Sequence, residues 1–270
     1  MDTRFNRDTA VERIDDTTWR ARIDKGWWII AGPNGGYIGA IILRAMQGTI
    51  ADRTRAARSL TVHFTAPPVE GQVQIFTKVE RKGGRLSSVS ARMEQDDRTI
   101  AVALGAFSSA REESISFEHV SMPEVPAAEK FSVSTQSPSP AIPMHGRYEF
   151  RPCIGGQPFS KSSDGVTGGW IRLEEPQAVD ACVAAALADA WPPAVFPLLD
   201  ANGPAIAVPT IDLTVHFRET LPAADVGPDD FLLVQFQSRV ARNGFVEEDG
   251  TIWSADGRLL VQSRQLAVLV

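Results

Sequence analysis

Two stretches of the chain share a hydrophobic pattern that predicts a strand, and they share their residues as well. The pentapeptide LTVHF occurs at residues 60–64 and again at residues 213–217, with the apolar–polar alternation of a half-buried strand. An apolar run of helix-forming residues precedes each copy, GGYIGAIILRAMQG before the first and VDACVAAALADAW before the second. Each run predicts one mostly buried helix of about 12–14 residues.

The elements that follow each copy of LTVHF are also alike. A Pro-containing turn leads into a strand, QVQIFTKVERKGG in one half and FLLVQFQSRVARNG in the other, and a further hairpin follows in both. Asp-x-Arg or Asp-Gly-Arg precedes the last strand of each hairpin, so that Arg98 aligns with Arg258. This ordered series predicts an internal duplication, over residues of about 10–110 and about 165–270, arranged as a pseudo-twofold pair.

Each half is predicted to be an antiparallel sheet wrapped around one apolar helix, which is an α+β arrangement. The segment between the halves is rich in Ser, Pro and Glu and predicts a surface linker over residues 113–145. It separates a predicted N-terminal domain, residues 1–112, from a C-terminal domain, residues 146–270. YEFRPCIGG and TGGWIRLEE are the predicted strands that open the second half.

Composition narrows the class of protein. The chain is 43% hydrophobic and 22% charged, as expected of a globular protein, and its net charge of −6 argues against a nucleic-acid partner. Two cysteines, Cys153 and Cys182, predict neither a disulfide framework nor a metal site, and no cofactor is expected. The polar N-terminus is unlike a secretory signal, and no apolar run approaches the roughly 18–20 residues of a membrane span, so a cytoplasmic location is predicted.

Three polar residues of the second half stand where the first half has small residues. Asp189 lies in the apolar helical run, Thr210 opens the next strand, and Gln265 lies in the apolar last strand. An acid within an apolar helix has to be paired, desolvated or functional. The aligned positions of the first half are Ala45, Ala57 and Gly105. The difference predicts that the second half holds a catalytic site and that the equivalent site of the first half has decayed.

Taken together, these segments resemble the acyl-CoA thioesterases of the thioesterase II type. The resemblance rests on GGYIGAIILRA, LTVHFTAPPVEG, RKGGRLSSVSARM, ALADAW, PTIDLTVHFR and DGRLLVQSRQLAVL, and covers nearly the whole chain except the linker. It implies a double hot-dog fold, in which two antiparallel sheets are each wrapped around a central helix. It also implies a catalytic Asp, Thr and Gln, which fall on Asp189, Thr210 and Gln265. Leu213 departs from the family, which often has His there.

The resemblance implies that a bound water hydrolyses an acyl-CoA thioester to a free fatty acid and CoA. Asp189 would act as general base, while Thr210 and Gln265 would position the water. The developing oxyanion needs donors, and a helix N-terminus supplies them. The candidate substrate-binding groups lie in GPNGGY, before the first helix, and are Asn34 and the free backbone N–H groups of Gly35, Gly36 and Tyr37.

Two other functions stay open. One is a thioester dehydratase or hydratase, since HFTAPPVEG is superficially similar to the His-Phe-Pro run of acyl-carrier-protein dehydratases. The first helix has no acid to face that histidine, and the spacing of Asp212 and His216 differs from that of the hydratases. The other is a non-catalytic acyl-CoA-binding protein that keeps the fold.

Two further predictions follow from the repeat itself. His63 and His216 occupy matching places in the two halves, which favours a packing role for both over catalysis. A sheet of this kind leaves an edge that can pair with another copy, so a homo-oligomer is also predicted.

Overall fold

A computed structural model of the protein describes residues 3–133, 142–204 and 206–270. The elements before the linker are α1 (Arg4–Asp8), β1 (Glu12–Arg13), β2 (Thr18–Ile23), β3 (Trp28–Ile29), β4 (Gly32–Pro33), α2 (Gly35–Ile50), β5 (Ala56–Phe64), β6 (Gly71–Lys82), β7 (Leu86–Gln95) and β8 (Arg98–Ser108). Those after it are β9 (Tyr148–Gly155), β10 (Val166–Leu173), α3 (Ala181–Leu187), β11 (Thr210–Phe217), β12 (Leu232–Gln237), β13 (Ala241–Arg242), β14 (Phe245–Trp253) and β15 (Leu259–Val268).

One antiparallel sheet of 13 strands runs through both halves, and its strand order is mirrored about the middle. The order is β1-β2-β6-β7-β8-β5-β11-β15-β14-β12-β10-β9, with β13 paired to β14. In each half a strand and a helix precede the central strand and its hairpins, as the duplication predicts. The structure has one continuous sheet in place of the two predicted ones, because β5 and β11 pair with each other and join the halves. The edges are β1 and β9, and the homo-oligomer that an edge could form stays a prediction.

The two copies of LTVHF are paired with each other at the centre of this sheet. Thr61 lies opposite Thr214, and Leu60 lies opposite Val215, in an antiparallel register. The hydroxyl oxygens of Thr61 and Thr214 share a hydrogen bond of 3.1 Å. A strand that pairs with its own copy about a twofold axis must be complementary to itself. The repeat is therefore explained by the β5–β11 seam, the contact at which the two halves meet.

Helix α2 is the central helix of the first half. Asn34 is its N-cap and accepts a hydrogen bond from the Tyr37 amide at 2.9 Å. The helix spans 16 residues, longer than predicted, and ends at Ile50, where the C-cap residue Ala51 adopts the left-handed conformation. Strands β5 to β8 cover one side and α3 covers another, so the helix is buried nearly all round. No helix in the described part of the chain is long and apolar enough to cross a membrane.

Helix α3 is shorter than its sequence predicts. The apolar run predicts about 12–14 residues, whereas the helix has seven and ends at Leu187. Asp189 therefore lies in the turn after the helix rather than late within it. The pair Pro192 and Pro193 prevents any continuation a little further on, because proline lacks the N–H that the helix needs.

Helices α2 and α3 approach each other closely at Gly36. A Cβ atom on this residue would lie 2.7 Å from the carbonyl oxygen of Ala186 and 2.9 Å from that of Ala185. Both neighbours are backbone atoms, which cannot turn aside as a flexible side chain can. The absence of a side chain at Gly36 therefore sets how near the two helices come.

The first part of the predicted linker packs on the second half. Trp170 Nε1 donates to the Pro126 carbonyl at 3.0 Å, and Arg151 Nη1 donates to the Ala128 carbonyl at 2.9 Å. Apolar side chains of this segment lie on a cluster that contains Trp170 and Trp253: Met122, Val125 and Phe131. This part of the segment thus covers one face of the sheet. Residues 134–141 of the predicted linker lie outside the described residues, and the domain boundaries stay predictions.

Gly36→Ala is expected to lower the free energy of unfolding by about 1–3 kcal/mol, because the added methyl group overpacks the helix contact. The matched control is Gly39→Ala on the same helix, where a Cβ would meet Leu60 Cδ2 at an ordinary 3.6 Å. That change should be neutral or stabilise by up to about 1 kcal/mol through helix propensity. Urea unfolding of both variants measures the difference, and equal effects would contradict the close contact at Gly36.

Candidate active site

The carboxylate of Asp189 crosses the boundary between the halves and meets the N-terminus of α2. Its Oδ2 accepts hydrogen bonds from Asn34 Nδ2 at 2.9 Å and from the Gly36 amide at 3.0 Å. Asn34 Nδ2 also donates to the main-chain carbonyl of Asp189 at 2.6 Å. Unpaired N–H groups and the helix dipole favour a negative charge at this place. The structure thus brings together three of the residues predicted for the site, Asp189 from the second half and Asn34 and Gly36 from the first.

The amides predicted to be free for an oxyanion are already engaged. The Gly36 amide donates to Asp189, and a hydrogen bond from the Gly35 amide also lowers the pKa of that carboxyl. The Tyr37 amide donates to Asn34 Oδ1. The Tyr37 side chain points elsewhere, since its hydroxyl donates to the Asp8 carbonyl at 2.8 Å. It is fully buried and stacked on an indole ring, which makes its side chain part of the core.

Gln265 connects polar side chains on three adjacent strands. Thr210 Oγ1 donates to Gln265 Oε1 at 2.8 Å, and Gln265 Nε2 donates to Glu248 Oε1 at 2.6 Å. Glu248 lies directly opposite Gln265 in the β14–β15 register, and its Oε2 accepts from the Ala194 amide at 2.5 Å. The register of β11 shifts between Thr210 and Asp212, as at a β-bulge, which re-aims the side chain of Thr210. The structure therefore brings Thr210 and Gln265 into direct contact, and their predicted role in holding a water stays a prediction.

The site holds two carboxyl groups with raised pKa values. Burial raises the pKa of Asp189 to about 6, although hydrogen bonds from Gly36, Gly35, Gln265 and Asn34 act in the opposite direction. Burial also raises the pKa of Glu248 to about 7, against hydrogen bonds from Ala194 and Gln265, and the negative charge of Asp189 adds to the rise. Perturbed carboxyl groups of this kind cluster at functional sites.

Glu248 is the member of this site that sequence reasoning misses, although a signal for it exists. From Val246 to Ile252 every second residue of β14 is buried, namely Val246, Glu248, Gly250 and Ile252, so the acid is in phase with the inward-facing residues. In the first half, the residue opposite Gly105 is Val89. A Cβ on Gly105 would lie 2.8 Å from Met46 Sδ, so Met46 fills the space there.

The two histidines of the repeat do not pack in the core. His63 and His216 are both exposed, whereas Leu60 and Val62 on the same strand are buried. Alternation along the strand directs the histidines to the opposite face of the sheet. The predicted packing role is therefore wrong for both.

A cavity of about 260 Å³ opens beside Trp191, two residues after Asp189. The ring centroids of Trp191 and Phe150 lie 5.4 Å apart, and Trp191 Nε1 donates to Thr167 Oγ1 at 2.9 Å. Tyr148 also lines the cavity, and its buried hydroxyl has no hydrogen-bond partner among the described residues. Burial raises the pKa of Tyr148, and the charge of Asp189 adds to this. The cavity thus has three aromatic side chains among otherwise mixed polar and apolar walls, and one of them, Tyr148, lies within the electrostatic reach of Asp189.

The cysteines do not supply a nucleophile, and no metal site accompanies them. Cys182 is buried in α3, donates to Gln47 Oε1 at 3.4 Å, and has its pKa raised by burial. Cys153 lies on the cavity wall, and burial raises its pKa too. Both thiols therefore stay protonated near neutral pH. Within residues 3–133, 142–204 and 206–270, no group of three or more His, Cys, Asp or Glu is placed to hold a metal ion.

Solved structures of other proteins have the same fold over the whole chain. A conserved protein of unknown function with a hot-dog fold from Alicyclobacillus acidocaldarius has a TM-score of 0.86 and 26% identity, over 99% of this chain and 98% of that one. The acyl-CoA thioesterase II TesB2 from Mycobacterium marinum has a TM-score of 0.75 and 17% identity, over 98% of each chain. These likenesses establish the hot-dog fold.

Sequence comparison extends this to a family. The thioesterase-like protein TwmA of Talaromyces wortmannii is 23% identical over an alignment of 330 positions, gaps included, and the alignment covers 98% of this chain and 92% of TwmA. The family profile of the acyl-CoA thioesterase N-terminal domain matches residues 24–108, and that of the acyl-CoA thioesterase C-terminal domain matches residues 121–269. The resemblance seen in the sequence is confirmed, and the chain belongs to the acyl-CoA thioesterase family.

Proposed function

We propose that the protein hydrolyses acyl-CoA thioesters to a free acid and CoA by means of a water molecule activated by Asp189. The observation that carries the proposal is the position of this carboxylate. It is half-buried, held by Asn34 and Gly36 with no cation beside it among the described residues, and adjacent to the hydrogen-bonded pair Thr210 and Gln265. A carboxylate that is desolvated but not neutralised by a positive charge remains basic enough to take a proton from water.

In the proposed reaction, Asp189 accepts a proton as the water oxygen attacks the thioester carbonyl carbon. Thr210 donates its own proton to Gln265, which leaves its oxygen free to accept a hydrogen bond from the water. Negative charge then moves from Asp189 to the carbonyl oxygen of the tetrahedral intermediate. The amides of Gly35 and Gly36 donate to Asp189 before the attack and can donate to the carbonyl oxygen once the negative charge lies there. Their contact with Asp189 is therefore compatible with the predicted role in binding the oxyanion. Collapse of the intermediate breaks the C–S bond, and the departing CoA thiolate takes the proton from Asp189.

The cavity beside Trp191 is proposed to hold the acyl group. A cavity of about 150 Å³ lined by apolar side chains can hold a benzene molecule, and the cavity here is larger, at about 260 Å³. Aromatic walls formed by Tyr148, Phe150 and Trp191 suit an apolar or ring-containing acyl group. The unpartnered hydroxyl of Tyr148 could bind a polar substituent on it.

Asp189→Asn is expected to slow thiol release from acyl-CoAs by about 10²–10⁴-fold, the range for loss of a general base. Thiol release is measured over a series of acyl lengths. The matched control is Asp180→Asn, because Asp180 caps α3 through the Val183 amide and asparagine caps equally well. The control should keep its activity.

Three outcomes are informative here. Equal rates for Asp189→Asn and the wild type would remove Asp189 from the mechanism. Loss of enoyl absorbance from an unsaturated thioester without thiol release would indicate a hydratase. Binding of acyl-CoA without turnover would indicate the non-catalytic alternative.

The pH dependence of the reaction is expected to follow the ionisation of Asp189. Only the ionised carboxylate acts as a base, and its pKa is about 6. Since the ionised fraction grows with pH, kcat/KM should be low below that value and rise through it to a plateau. The measurement is kcat/KM between about pH 5 and about pH 8 with an acyl group that does not ionise. A flat profile, or the same rise in Asp189→Asn, would argue against this base.

Cys153→Phe is expected to shift the preference toward shorter acyl groups, because the ring fills part of the cavity. We expect kcat/KM for the longest good substrate to fall about 10-fold or more, while the value for a short one is retained. The control is Val102→Phe, which adds a similar volume at an exposed position of β8. If both variants keep the wild-type preference, the acyl group does not lie in this cavity.

A further inference from the structure

We propose that Glu248 is a positioning residue of the site, which fixes the orientation of the Gln265 amide and thereby makes Thr210 an acceptor toward the attacking water. The inference rests on the proposed hydrolysis and assigns a role that neither the family resemblance nor the repeat assigns. Glu248 does not touch the water in this scheme; it acts through Gln265.

Glu248 receives a hydrogen bond at each of its two carboxylate oxygens. Its Oε2 receives the Ala194 amide, which can only donate, and its Oε1 receives an N–H from Gln265. Both oxygens accept, which is the pattern of an ionised carboxylate, the form that Glu248 takes above its raised pKa of about 7. An ionised carboxylate cannot donate, so the Gln265 side chain must present its nitrogen to Glu248 and its oxygen to Thr210.

The orientation of Gln265 determines the direction of the hydrogen bond at Thr210. Because Gln265 Oε1 is an acceptor, the Thr210 hydroxyl must donate to it, as the 2.8 Å contact permits. The Thr210 oxygen then has only lone pairs to offer to the water. A rotated Gln265 amide would donate to Thr210, and the hydroxyl proton would point at the water instead. The water would then be turned away from the orientation that places its proton on Asp189.

The burial of a charged Glu248 is unfavourable for folding. Glu248 is 7% exposed, and its hydrogen-bond partners, Gln265 and Ala194, are neutral. Burying a charge without a cation is unfavourable. The first half has Val89 at the corresponding position of the sheet and forms the same strands without an acid. The fold therefore does not require an acid at this position, and the presence of Glu248 beside Gln265 points to a role in the chemistry.

The test is a double-mutant cycle with Glu248→Gln and Thr210→Val. A glutamine at 248 keeps the shape but can present an N–H to Gln265 and so permit the rotated amide. We expect Glu248→Gln to lower kcat by about 10–100-fold, as for a small misplacement of a reacting group, while KM changes less than about twofold and the protein stays folded. In Thr210→Val there is no hydroxyl to orient, so adding Glu248→Gln should cost little more.

A role in stability alone would give a different result. Losses in kcat that multiply in the double variant would mean that Glu248 acts independently of Thr210 and would overturn the proposal. Wild-type kcat in Glu248→Gln would overturn it as well. Glu247→Gln is the control on the same strand, because Glu247 bonds the Arg239 amide near the surface instead. This control should keep its kcat.

The two proposals fail in different ways. If the wild type releases no thiol, the proposed function fails. If thiol release depends on Asp189 but not on Glu248, only the positioning role fails. The Gln265 side-chain amide can also be followed by NMR, with its resonance assigned by loss in Gln265→Met. Its shift should change in Glu248→Gln, and an unchanged shift would show that Glu248 does not hold the amide, whatever the activity.

Discussion

The rest of the site depends on one contact, the carboxylate of Asp189 placed against the first turn of α2. This contact requires α3 to end early, so that Asp189 lies in a turn, and it requires Gly36 to lack a side chain. Asn34 serves both as the cap of α2 and as a donor to Asp189. Neutral N–H groups stabilise the charge and lower the pKa of Asp189, but burial outweighs them, so the carboxylate stays more basic than an exposed one.

The two halves share a fold but differ in what they bury. In the second half, Gln265 links Glu248 to Thr210, whereas in the first Met46 occupies the space beside Gly105. A symmetric dimer of identical chains would bury every one of these acids twice. In a single chain the unfavourable burial occurs once, and the other half is free to pack apolar side chains instead. The absence of buried acids from the first half therefore favours the stability of the chain.

The sequence predicts much of the fold because its signals are local. Alternation and the two copies of LTVHF identify the strands and the duplication, and the resemblance selects Asp189, Thr210 and Gln265 as site residues. Other features depend on contacts that no local pattern contains. The Ala-rich run continues in helical phase past Asp189, so only packing against Gly36 reveals where α3 ends. Glu248 lies in an EED run, typical of an exposed hairpin, and only the register with β15 shows that it faces inward.

The β5–β11 seam also has a consequence for the order of folding. Its central contact joins residues that are 153 positions apart, whereas β6, β7 and β8 are consecutive hairpins, as are β14 and β15. Loop closure favours the nearby pairings first, so each half can gather its own strands before the long-range contact forms. Since Asp189 and Asn34 belong to different halves, they meet only when the halves dock. The chemistry of this chain thus depends on the docking of its two halves and not only on the folding of each.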